Sequence, residues 1–513
     1  MSSQVYDLAI IGGGINGCGI ARDAAGRGLS VFLCDEGDLG GASSSASTKL
    51  AHGGLHHLKR LALGPLRDAL RERDVLLAAA PHVVRPMRFV LPHKPGSRAR
   101  VLVRAGLFVY DHLGGGRLLP RRRQVALGGD RLGVTLHPEC RTAFEYSDCT
   151  VDDSRLVILN AMDARTHGAD IRPRVRCVIA EREGTVWRLA LEAESGERYA
   201  IVARTLVNAA GPFVADVLNH VVHAHAHARV RLVKGSHIVV PKLYDHDGAY
   251  VLQNADRRLV FVIPYQRDFT LIGTTEDDYH GAPSEAAADS AEIAYLIAAV
   301  GEYFRRPIFE DDVVWAYSGV RALFDDGDAR PRGETRSHVI DIDSAASQPP
   351  LVTILGGRIT TYRRLAEDVL DRLVPFLKVG KKWTAGAALP GGLFPIDGLG
   401  DLTRALRAGY PFLAERHAER LALAYGTRAQ TVVSRARSMA DLGRLFGADL
   451  TEAEVRYLMA EEFAETAEDI LWRRTKLGLR FSADEVAGLE EWLHAARTAT
   501  AAMPRRPARA GAA

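Results

Sequence analysis

Three glycines near the start of the chain have the type and spacing needed to hold the pyrophosphate of a dinucleotide. Gly12, Gly14 and Gly17 form the pattern G-x-G-x-x-G. The first permits a tight turn, the second lets the backbone approach the phosphates, and the third lets a helix pack closely on a strand. Asp35 follows Gly14 after about 20 residues, a position from which a carboxylate reaches a ribose hydroxyl. The pattern predicts a dinucleotide site and leaves open whether the ligand is FAD or NAD.

The residues around this pattern predict the elements that must position it. The sequence is apolar and strand-like at residues 7–11, helical at 15–28 and strand-like again at 29–34. A strand, a glycine turn, a helix and a second strand in this order place a bound phosphate on the free N–H groups of a helix N-terminus. A further helix is predicted at 66–80, and further strands at 200–208, 237–240, 259–263, 270–273 and 351–355. Strands between helices predict an α/β domain that carries an inserted sheet.

The composition describes a globular protein of two or three domains. With 513 residues, of which 47% are apolar and 25% charged, the chain is too long for one ordinary core. The formal charge of +3 gives no electrostatic reason to expect a nucleic-acid partner. Five scattered cysteines without CxxC spacing argue against a disulfide framework and a structural zinc site, and they fit a reducing cytoplasm. The sequence shows neither a signal peptide nor an apolar stretch of the about 20 residues that cross a bilayer.

Glycine and proline mark the predicted domain boundary. Residues 386–400 are rich in both and predict a linker between residues 1–385 and a helical domain at 401–500. Within residues 1–385, stretches at about 82–145 and 220–320 are expected to insert into the dinucleotide-binding domain. The pairs Thr451/Glu454 and Ser482/Glu485 have the spacing of capping boxes, which satisfy the first N–H groups of a helix. Residues 501–513 predict a disordered tail.

Several further stretches, taken in order, are typical of one enzyme family. They are SSSASTKLAHGG at 43–54, PMRF at 86–89, LFVYDHL at 107–113, FEYSDC at 144–149, NAAGP at 208–212, KGSHI at 234–238, YSGVR at 317–321, GGRITTY at 356–362 and LWRRTK at 471–476. From about residue 5 to 495, the chain resembles the FAD-dependent, aerobic-type glycerol-3-phosphate dehydrogenases of bacteria. The resemblance implies an α/β fold: a Rossmann-like FAD-binding domain of the glutathione-reductase and D-amino-acid-oxidase type, an inserted antiparallel sheet for the substrate, and an all-α C-terminal domain.

The resemblance also implies a reaction and a set of cofactor residues. Enzymes of this family oxidise sn-glycerol 3-phosphate to dihydroxyacetone phosphate with non-covalent FAD and pass the electrons to a quinone. They are peripheral proteins on the cytoplasmic face of the inner membrane, and we expect a homodimer. By match to the family's motifs, FAD would be held by Gly12, Gly14, Gly17 and Asp35 at the adenosine and pyrophosphate end, by Ser44, Ser45 and Lys49 at its middle, by Gly356, Gly357, Arg358, Ile359 and Thr360 at the isoalloxazine ring, and by Gly211.

Oxidation of a secondary alcohol by a flavin requires a base for the hydroxyl proton and positive charge for the phosphate. His52 and His237 are the candidate bases, because an imidazole titrates near neutrality, and the sequence does not separate them. Arg321 and Arg336 are the candidate phosphate ligands, because a guanidinium binds two oxygens at once. A helix starting near Thr360 would direct its positive end at the flavin.

Departures from the family pattern gather where the substrate should bind. His56 and His57 stand where the family usually has Arg-Tyr, and Arg358 stands where it has Lys. Tyr265 and Ala322 replace a usual Trp and Pro. We assign His56 and Arg358 to the substrate site, and three functions stay open. The protein is a glycerol-3-phosphate dehydrogenase, a dehydrogenase or oxidase of a related polyol phosphate such as erythritol phosphate, or a flavin-binding sensor or scaffold without catalysis.

Two other clusters have both a functional and a structural interpretation. Seven arginines and one acid lie between residues 98 and 123, around an apolar stretch at 101–110. This mixture suits an anionic membrane surface and equally a solvated basic face beside a buried segment. Four histidines lie close together between residues 220 and 227, without carboxylate or cysteine partners. They predict a surface loop, and no metal is expected.

Overall fold

The computed structural model describes residues 4–54, 63–93, 99–113, 118–224, 229–254, 256, 258–325, 338–345 and 348–501. Its strands are β1 Val5–Ile11, β2 Val31–Cys34, β3 Leu50–Ala51, β4 Val84–His93, β5 Arg123–Ala126, β6 Thr142–Val151, β7 Asp170–Arg172, β8 Val175–Glu183, β9 Val186–Ala193, β10 Arg198–Asn208, β11 Arg229–Pro241, β12 Ala249–Gln253, β13 Leu259–Tyr265, β14 Phe269–Gly273, β15 Asp277–Asp278, β16 Trp315–Asp325, β17 His338–Asp343, β18 Leu351–Gly356, β19 Leu445–Gly447 and β20 Leu450–Thr451. Its longer helices are α1 Ile15–Gly26, α2 Leu63–Ala79, α3 Ala99–Leu113, α4 Asp153–Thr166, α5 Ser290–Gly301, α6 Tyr362–Leu373, α7 Leu399–Gly409, α8 Glu415–Tyr425, α9 Glu452–Glu461 and α10 Ala483–Ala501.

The first sheet carries the glycine pattern. Its strand order is β17-β18-β10-β1-β2-β7, and β9 and β8 continue it beside β10. Strands β18, β10, β1, β2 and β7 are parallel, so their carboxyl ends meet at one edge. Ile11 pairs with Cys34 on one side and with Asn208 on the other, which brings Gly12 and Asp35 together at that edge. Open parallel sheets bind their ligands there.

The second sheet is the predicted insertion. Its strand order is β15-β11-β14-β13-β12-β4-β6-β3, with β16 beside β11 and β5 beside β6. The pairings are antiparallel except for the parallel pairing of β12 with β4. Strand β11 is much longer than the predicted 237–240, because residues 229–239 all pair with β16. Register with a distant strand is a long-range property that local sequence does not encode.

The C-terminal region has a hydrophobic core of its own, built from residues between Leu406 and Leu493. The capping box at Ser482 is confirmed: its N–H donates to Glu485 Oε2 at 2.8 Å, and the Glu485 N–H donates to Ser482 Oγ at 3.3 Å.

The capping box predicted at Thr451 is wrong, although α9 begins there. The Thr451 side chain makes no capping bond among the described residues. Glu454 instead accepts from the Arg420 guanidinium at 2.7 Å and from the Tyr425 hydroxyl at 2.6 Å. Bonds from a charged guanidinium are stronger than a bond to a backbone N–H, so the carboxylate turns toward Arg420.

The segment at 386–400 is packed against the rest of the protein. The Leu389 N–H donates to the carbonyl of Ala79 at 2.8 Å. A side-chain carbon at Gly391 would overlap the carbonyl of Tyr425, and one at Gly392 would overlap that of Ala79. Glycine is required here by the close approach of α8 and α2. The tail predicted at 501–513 lies, except for residue 501, outside the described residues.

Candidate active site

A cavity of about 2690 Å³ lies where the carboxyl edge of the first sheet faces the second sheet. Its lining includes the glycine turn, the segment after β2, the serine-rich loop after residue 41, the loop between β18 and α6, and parts of β11 and β16. The C-terminal region contributes Glu468, Trp472 and Arg473. Because small-molecule pockets measure about 300–1,000 Å³, this cavity has room for a dinucleotide and a second ligand together.

The glycine turn has the geometry that its spacing predicts. Gly12 has a φ of +112°, and a side-chain carbon there would lie 2.6 Å from the carbonyl oxygen of Ala209. A side-chain carbon at Gly17 would overlap the carbonyl oxygen of Gly12, so Gly17 brings α1 against β1. Gly12 and Gly14 are part of the described lining of the cavity, whereas Gly17 is not. Gly17 therefore allows the close packing of α1 on β1.

Asp35 lies at the cavity and holds the loop around it. Its Oδ2 accepts from the Gly13 N–H at 2.6 Å, and its Oδ1 accepts from the Gly37 N–H at 2.8 Å. Burial raises the pKa of Asp35, and the two N–H donors oppose this rise. Each carboxylate oxygen retains a second lone pair, so the group is still able to accept a ribose hydroxyl.

The start of α1 fits the phosphates and hydroxyls of a dinucleotide. The Ile15 N–H donates to Ser44 Oγ at 3.0 Å, which fixes the serine-rich loop beside the glycine turn. Asn16 Nδ2 donates to the Gly356 carbonyl at 3.1 Å. Its Oδ1 is buried and has no hydrogen-bond partner among the described residues. A buried acceptor of this kind calls for a donor from a ligand, and the hydroxyls of FAD are such donors.

Of the three residues in the serine-rich loop that were predicted to hold the cofactor, two line the cavity and one does not. Ser44 and Ser45 belong to the described lining of the cavity, and Lys49 does not. Lys49 Nζ contacts Asp153 Oδ2 at 2.7 Å, and its side chain is 3% exposed. A buried ammonium needs a carboxylate partner, and this ion pair anchors the loop to the start of α4.

The loop from Gly356 to Thr360 lines the cavity with all five of its residues, as does Gly211. Gly357 has a φ of +100°, and a side-chain carbon there would lie 2.6 Å from Asn16 Nδ2. Helix α6 follows with Thr361 as its N-cap, and Thr361 also lines the cavity. The positive end of α6 therefore faces the site, as the position of Thr360 predicts.

His52 opens onto the cavity. The residue is partly exposed and lines the cavity, and its backbone N–H donates to Thr360 Oγ1 at 3.2 Å, so it lies beside the Gly356–Thr360 loop. Burial and the positive charge of Arg358 lower the pKa of His52 to about 4. The imidazole is therefore neutral at physiological pH, which is the state a proton acceptor requires.

His237 lines the same cavity but is held on every side. Its Nε2 lies 3.0 Å from Thr48 Oγ1, and its Nδ1 is buried without a partner among the described residues. The ring stacks on Tyr317 at 4.9 Å, and a side-chain carbon at Gly273 would overlap it on the other side. Burial, with the charges of Lys49 and Arg321, lowers the pKa of His237 to about 3.

Arg321 is the described arginine of the two candidate phosphate ligands. It extends from β16 into the cavity, its side chain is 47% exposed, and its Nη2 lies 3.4 Å from Glu276 Oε1. A long, exposed ion pair of this kind is weak, so the guanidinium is able to exchange its partner for a phosphate. Arg336, His56 and His57 lie outside the described residues.

Several residues of the site were not predicted from the sequence. Asn16 fixes the Gly356–Gly357 turn, and Thr48 bonds to His237. Tyr317 supports His237 and donates to the Ser47 carbonyl at 2.8 Å. Thr48 and Tyr317 lie within the stretches SSSASTKLAHGG and YSGVR, so their place in these motifs was a signal. The contribution of Trp472 from the C-terminal region had no local signal.

Two further predictions concern metal ions and membranes. Within the described part of the chain, no three His, Cys, Asp or Glu side chains come together as a metal site, and two of the four clustered histidines lie outside that part. Among the described helices, none combines the length and the apolar character needed to cross a bilayer.

Comparison with known proteins gives matches along nearly the whole chain. A family model described as FAD dependent oxidoreductase matches residues 7–363, and one described as C-terminal domain of alpha-glycerophosphate oxidase matches residues 382–497. The glycerol-3-phosphate dehydrogenase of Pseudomonas aeruginosa is 48% identical over 96% of this chain and 95% of its own. The D-erythritol 1-phosphate dehydrogenase of Brucella abortus is 47% identical over 95% of this chain and 98% of its own. The aerobic glycerol-3-phosphate dehydrogenase of Escherichia coli is 44% identical over 96% of this chain and 97% of its own.

The fold has a counterpart among solved structures. The glycerol-3-phosphate dehydrogenase from Bacillus halodurans, solved with FAD, superposes with a TM-score of 0.76 at 24% identity, over 97% of this chain and 92% of that one. The family match identifies FAD as the dinucleotide that the glycines alone left undecided. The geometry of the cavity and the match over most of the chain lead to one conclusion: the protein is an enzyme of the FAD-dependent oxidoreductase family, the family that includes the bacterial glycerol-3-phosphate dehydrogenases.

Proposed function

We propose that the protein oxidises sn-glycerol 3-phosphate to dihydroxyacetone phosphate. One observation carries the proposal: a neutral imidazole, His52, and an exposed guanidinium, Arg321, line the same cavity as the Gly356–Thr360 loop. Bound FAD supplies the hydride acceptor, its N5 atom, for the hydrogen on C2 of the substrate. The chain supplies the base and the phosphate ligand, and its relatives named glycerol-3-phosphate dehydrogenase support this choice of substrate.

His52 is the better candidate for the base. It is partly exposed to the cavity, whereas His237 is enclosed by Thr48, Tyr317 and Gly273. The base nitrogen must approach within about 3 Å of the hydroxyl oxygen, and only an open ring allows this. A phosphate dianion in the cavity would raise the pKa of His52 from about 4 toward neutrality, because an anion stabilises the imidazolium.

His237 and Arg321 have supporting roles in the proposed reaction. His237 holds Thr48 of the serine-rich loop and so positions the flavin side of the cavity. Arg321 would bind the substrate phosphate and leave Glu276 to solvent. Arg336 remains a second proposed phosphate ligand, and His56 and Arg358 remain proposed substrate contacts.

A second candidate substrate is D-erythritol 1-phosphate. The Brucella abortus enzyme of that name is as similar to this chain as the glycerol-3-phosphate dehydrogenases are. The departures from the family pattern at His56, His57 and Arg358 concern the substrate side of the site, where a longer polyol would need different contacts.

Anaerobic bleaching of the flavin distinguishes the candidates. The purified yellow protein is mixed without oxygen with glycerol 3-phosphate, erythritol 1-phosphate or glycerol, and the flavin absorbance is followed. We expect rapid bleaching by glycerol 3-phosphate and none by unphosphorylated glycerol. Faster bleaching by erythritol phosphate would reassign the substrate, and no bleaching by any compound would favour a flavin-binding protein without catalysis.

We infer further that the electrons pass to a quinone and that α3 contacts an anionic membrane. Helix α3 buries Leu107 and Tyr110 and exposes Arg104 and Phe108 on its other face. Leu118, just beyond, is 51% exposed. Basic and apolar side chains exposed together suit the headgroup region of an anionic bilayer.

Within the predicted arginine cluster, two members have protein partners. Arg122 lies 3.7 Å from Asp111, and Arg123 pairs with Glu145. The exposed Arg104 and Arg121 are therefore better placed to meet lipid phosphates.

Vesicle binding tests the membrane proposal. We expect the protein to sediment with phosphatidylglycerol vesicles at low salt, to be released by salt, and to bind more weakly as Arg104→Gln or Phe108→Ser. Arg435→Gln removes an exposed charge from the C-terminal region and serves as the control. A wild-type protein that stays in solution at low salt would support the alternative, a solvated basic face.

A further inference from the structure

The helical turn Asp469–Arg474 ends in three consecutive residues, Trp472, Arg473 and Arg474. The first two line the cavity, and Arg474 is buried directly behind them. We propose that these three residues, here called the clasp, join the cofactor loop to the substrate sheet and so set the position of the substrate relative to the flavin. The clasp acts through other residues, and its members are positioning residues. Its kinetic part rests on the proposed oxidation, and its cofactor part does not.

On the cofactor side, the clasp holds Asp38. Arg474 places Nη1 2.7 Å from Asp38 Oδ2 and Nη2 2.8 Å from Oδ1, and Arg473 Nε lies 2.5 Å from Oδ2. The Asp38 side chain is 2% exposed and that of Arg474 is fully buried. A buried fork-to-carboxylate pair of this kind fixes orientation as well as distance.

Asp38 belongs to the loop that surrounds the glycine turn. In the same loop, Asp35 accepts from the Gly13 N–H at 2.6 Å, and the Gly40 N–H donates to the Gly13 carbonyl at 3.0 Å. Holding Asp38 therefore holds the loop around the glycine turn, which would hold the cofactor phosphates.

On the substrate side, the clasp begins a row of stacked rings. Trp472 lies 4.7 Å from Trp315 at an interplanar angle of 31°, and Trp315 lies 4.7 Å from Tyr317 at 37°. Tyr317 stacks on His237 at 4.9 Å and 12°. Trp315 and Tyr317 belong to β16, the strand that also carries Arg321. The clasp thus contacts Trp315 of the strand that carries Arg321, and it reaches His237 only through Trp315 and Tyr317.

The clasp is stiff enough to connect the two sides. Arg473 also contacts Glu468 and Asp469, both at 2.6 Å. A side-chain carbon at Gly478 would lie 2.5 Å from Trp472 Cε2, so the indole has backbone directly behind it. Neighbouring residues of one turn contact both Asp38 of the cofactor loop and Trp315 of the substrate sheet. The substrate sheet therefore cannot move without straining the contacts to the cofactor loop. Hydride transfer is sensitive to misplacement of about 1 Å, which costs about 100-fold in rate.

The substrate side is tested with Trp472→Leu. At saturating glycerol 3-phosphate, we expect anaerobic flavin reduction to slow by about 10-fold to 100-fold, with an unchanged dissociation constant for FAD. Trp492→Leu is the matched control, because Trp492 packs edge-on against Phe446 inside the same C-terminal region at 5.4 Å. Trp315→Leu removes the contact from the other side and replaces Trp472→Leu should that variant not fold. The double variant should be no slower than Trp315→Leu alone, because Trp472 acts through its contact with Trp315.

The cofactor side is tested with Arg474→Lys, which keeps the charge and loses the two-oxygen contact. We expect the dissociation constant for FAD to rise by about tenfold or more. Asp38→Asn is the second variant for the same contact. Arg165→Lys is the control, because Arg165 donates to the Glu461 carbonyl at 2.7 Å, a contact to the same C-terminal region that lies away from the cavity.

Two results would overturn the clasp. One is wild-type flavin reduction in Trp472→Leu and Trp315→Leu, or an equal loss in Trp492→Leu. The other is wild-type FAD affinity in Arg474→Lys and Asp38→Asn. If glycerol 3-phosphate fails to bleach the wild-type flavin, the proposed substrate is wrong, and the FAD affinities, which need no substrate, still decide on the clasp.

Discussion

His52 and His237 line one cavity, but His52 is open to it and His237 is enclosed. This difference predicts different responses to substitution. Removing the ring of His52 takes away the proposed base, so His52→Ala should slow flavin reduction by about 100-fold or more, the lower range for a positioned base. Added imidazole should restore part of the rate, because the vacated space opens onto the cavity. His237→Asn should slow the reaction less, and imidazole should not help, since that ring is enclosed.

The pH dependence of the free enzyme gives a second readout for His52. Its pKa of about 4 means that the base stays neutral until the pH falls through that value. We expect the contribution of His52 to kcat/KM to stay constant between pH 7 and pH 5 and to disappear near pH 4, where the imidazole becomes protonated. A loss centred near pH 6.5, absent in His52→Ala, would contradict the lowered pKa.

At the level of single residues, sequence predicted those whose role is local and missed those whose role depends on distant partners. Gly12 and Asp35 lie where their spacing places them, because a turn and the end of a strand are local features. The ion pair of Lys49 had no local signal, because its partner Asp153 is about 100 residues away in the sequence and only the fold brings the two side chains together.

Among the elements, the turn between β18 and α6 depends on a glycine, Gly357, at a position that has no space for a side chain. Gly357→Ala would force a methyl group against Asn16 Nδ2 in a backbone conformation with φ of +100°. We expect weaker FAD binding, by about tenfold or more, measured by titration of the apoprotein. Gly128→Ala, at a glycine with nothing within 4 Å, should bind FAD like the wild type. Equal affinities in both variants would show that the turn tolerates the change.

The starts of α9 and α10 make a matched pair for stability. Ser482→Ala breaks the capping box at α10 and should lower the free energy of unfolding by about 0.5–2 kcal/mol. Thr451→Val keeps the volume of the side chain at the start of α9, where the hydroxyl makes no capping bond among the described residues, and should cost less. Urea unfolding of the two variants shows which substitution costs more stability. A larger loss in Thr451→Val would support a capping role for the Thr451 hydroxyl after all.

These two helix starts also show how far sequence predicts an element. Both begin where a hydroxyl residue precedes a helical pattern, so the position follows from local preference. Whether the glutamate carboxylate turns back to the first N–H group depends on whether another donor, such as a nearby guanidinium, competes for it. Glu454 meets Arg420 from α8, whereas Glu485 accepts from its own helix start.

For the whole molecule, buried histidines predict a loss of stability in mild acid. Both ring nitrogens of His82 are buried without a partner among the described residues, and burial lowers its pKa to about 3. Histidine in the unfolded chain has a pKa of about 6.5. Below this pH the unfolded chain binds a proton at His82, whereas the folded chain does not until the pH falls to about 3. The free energy of unfolding should therefore fall as the pH drops from about 6.5 toward 3. Above pH 6.5 this destabilisation is absent, because His82 is neutral in both the folded and the unfolded chain.

Comparison with a variant isolates this effect from the carboxylates. His82→Asn has no titrating ring, so its midpoint of urea unfolding should change less between pH 7.5 and pH 5 than that of the wild type. His52 and His237, with lowered pKa values, act in the same direction. An identical change in both proteins would mean that His82 is not held neutral by the fold.

At the same scale, the order of the regions was predictable, and the construction of the cavity was not. The glycine pattern, the inserted sheet and the C-terminal helices follow from local patterns read along the chain. The cavity needs the two sheets and Trp472 together, and those contacts join residues separated by hundreds of positions.

The close packing of Gly391 and Gly392 has a practical consequence for anyone who re-engineers the chain. By composition, 386–400 is the obvious place to divide the protein or to insert a reporter. Glycines seated against the carbonyls of Tyr425 and Ala79 leave no space for an added residue, and a cut there would expose matching surfaces on both halves. The turn between β8 and β9, where Gly184 has open space around it, is the safer graft site.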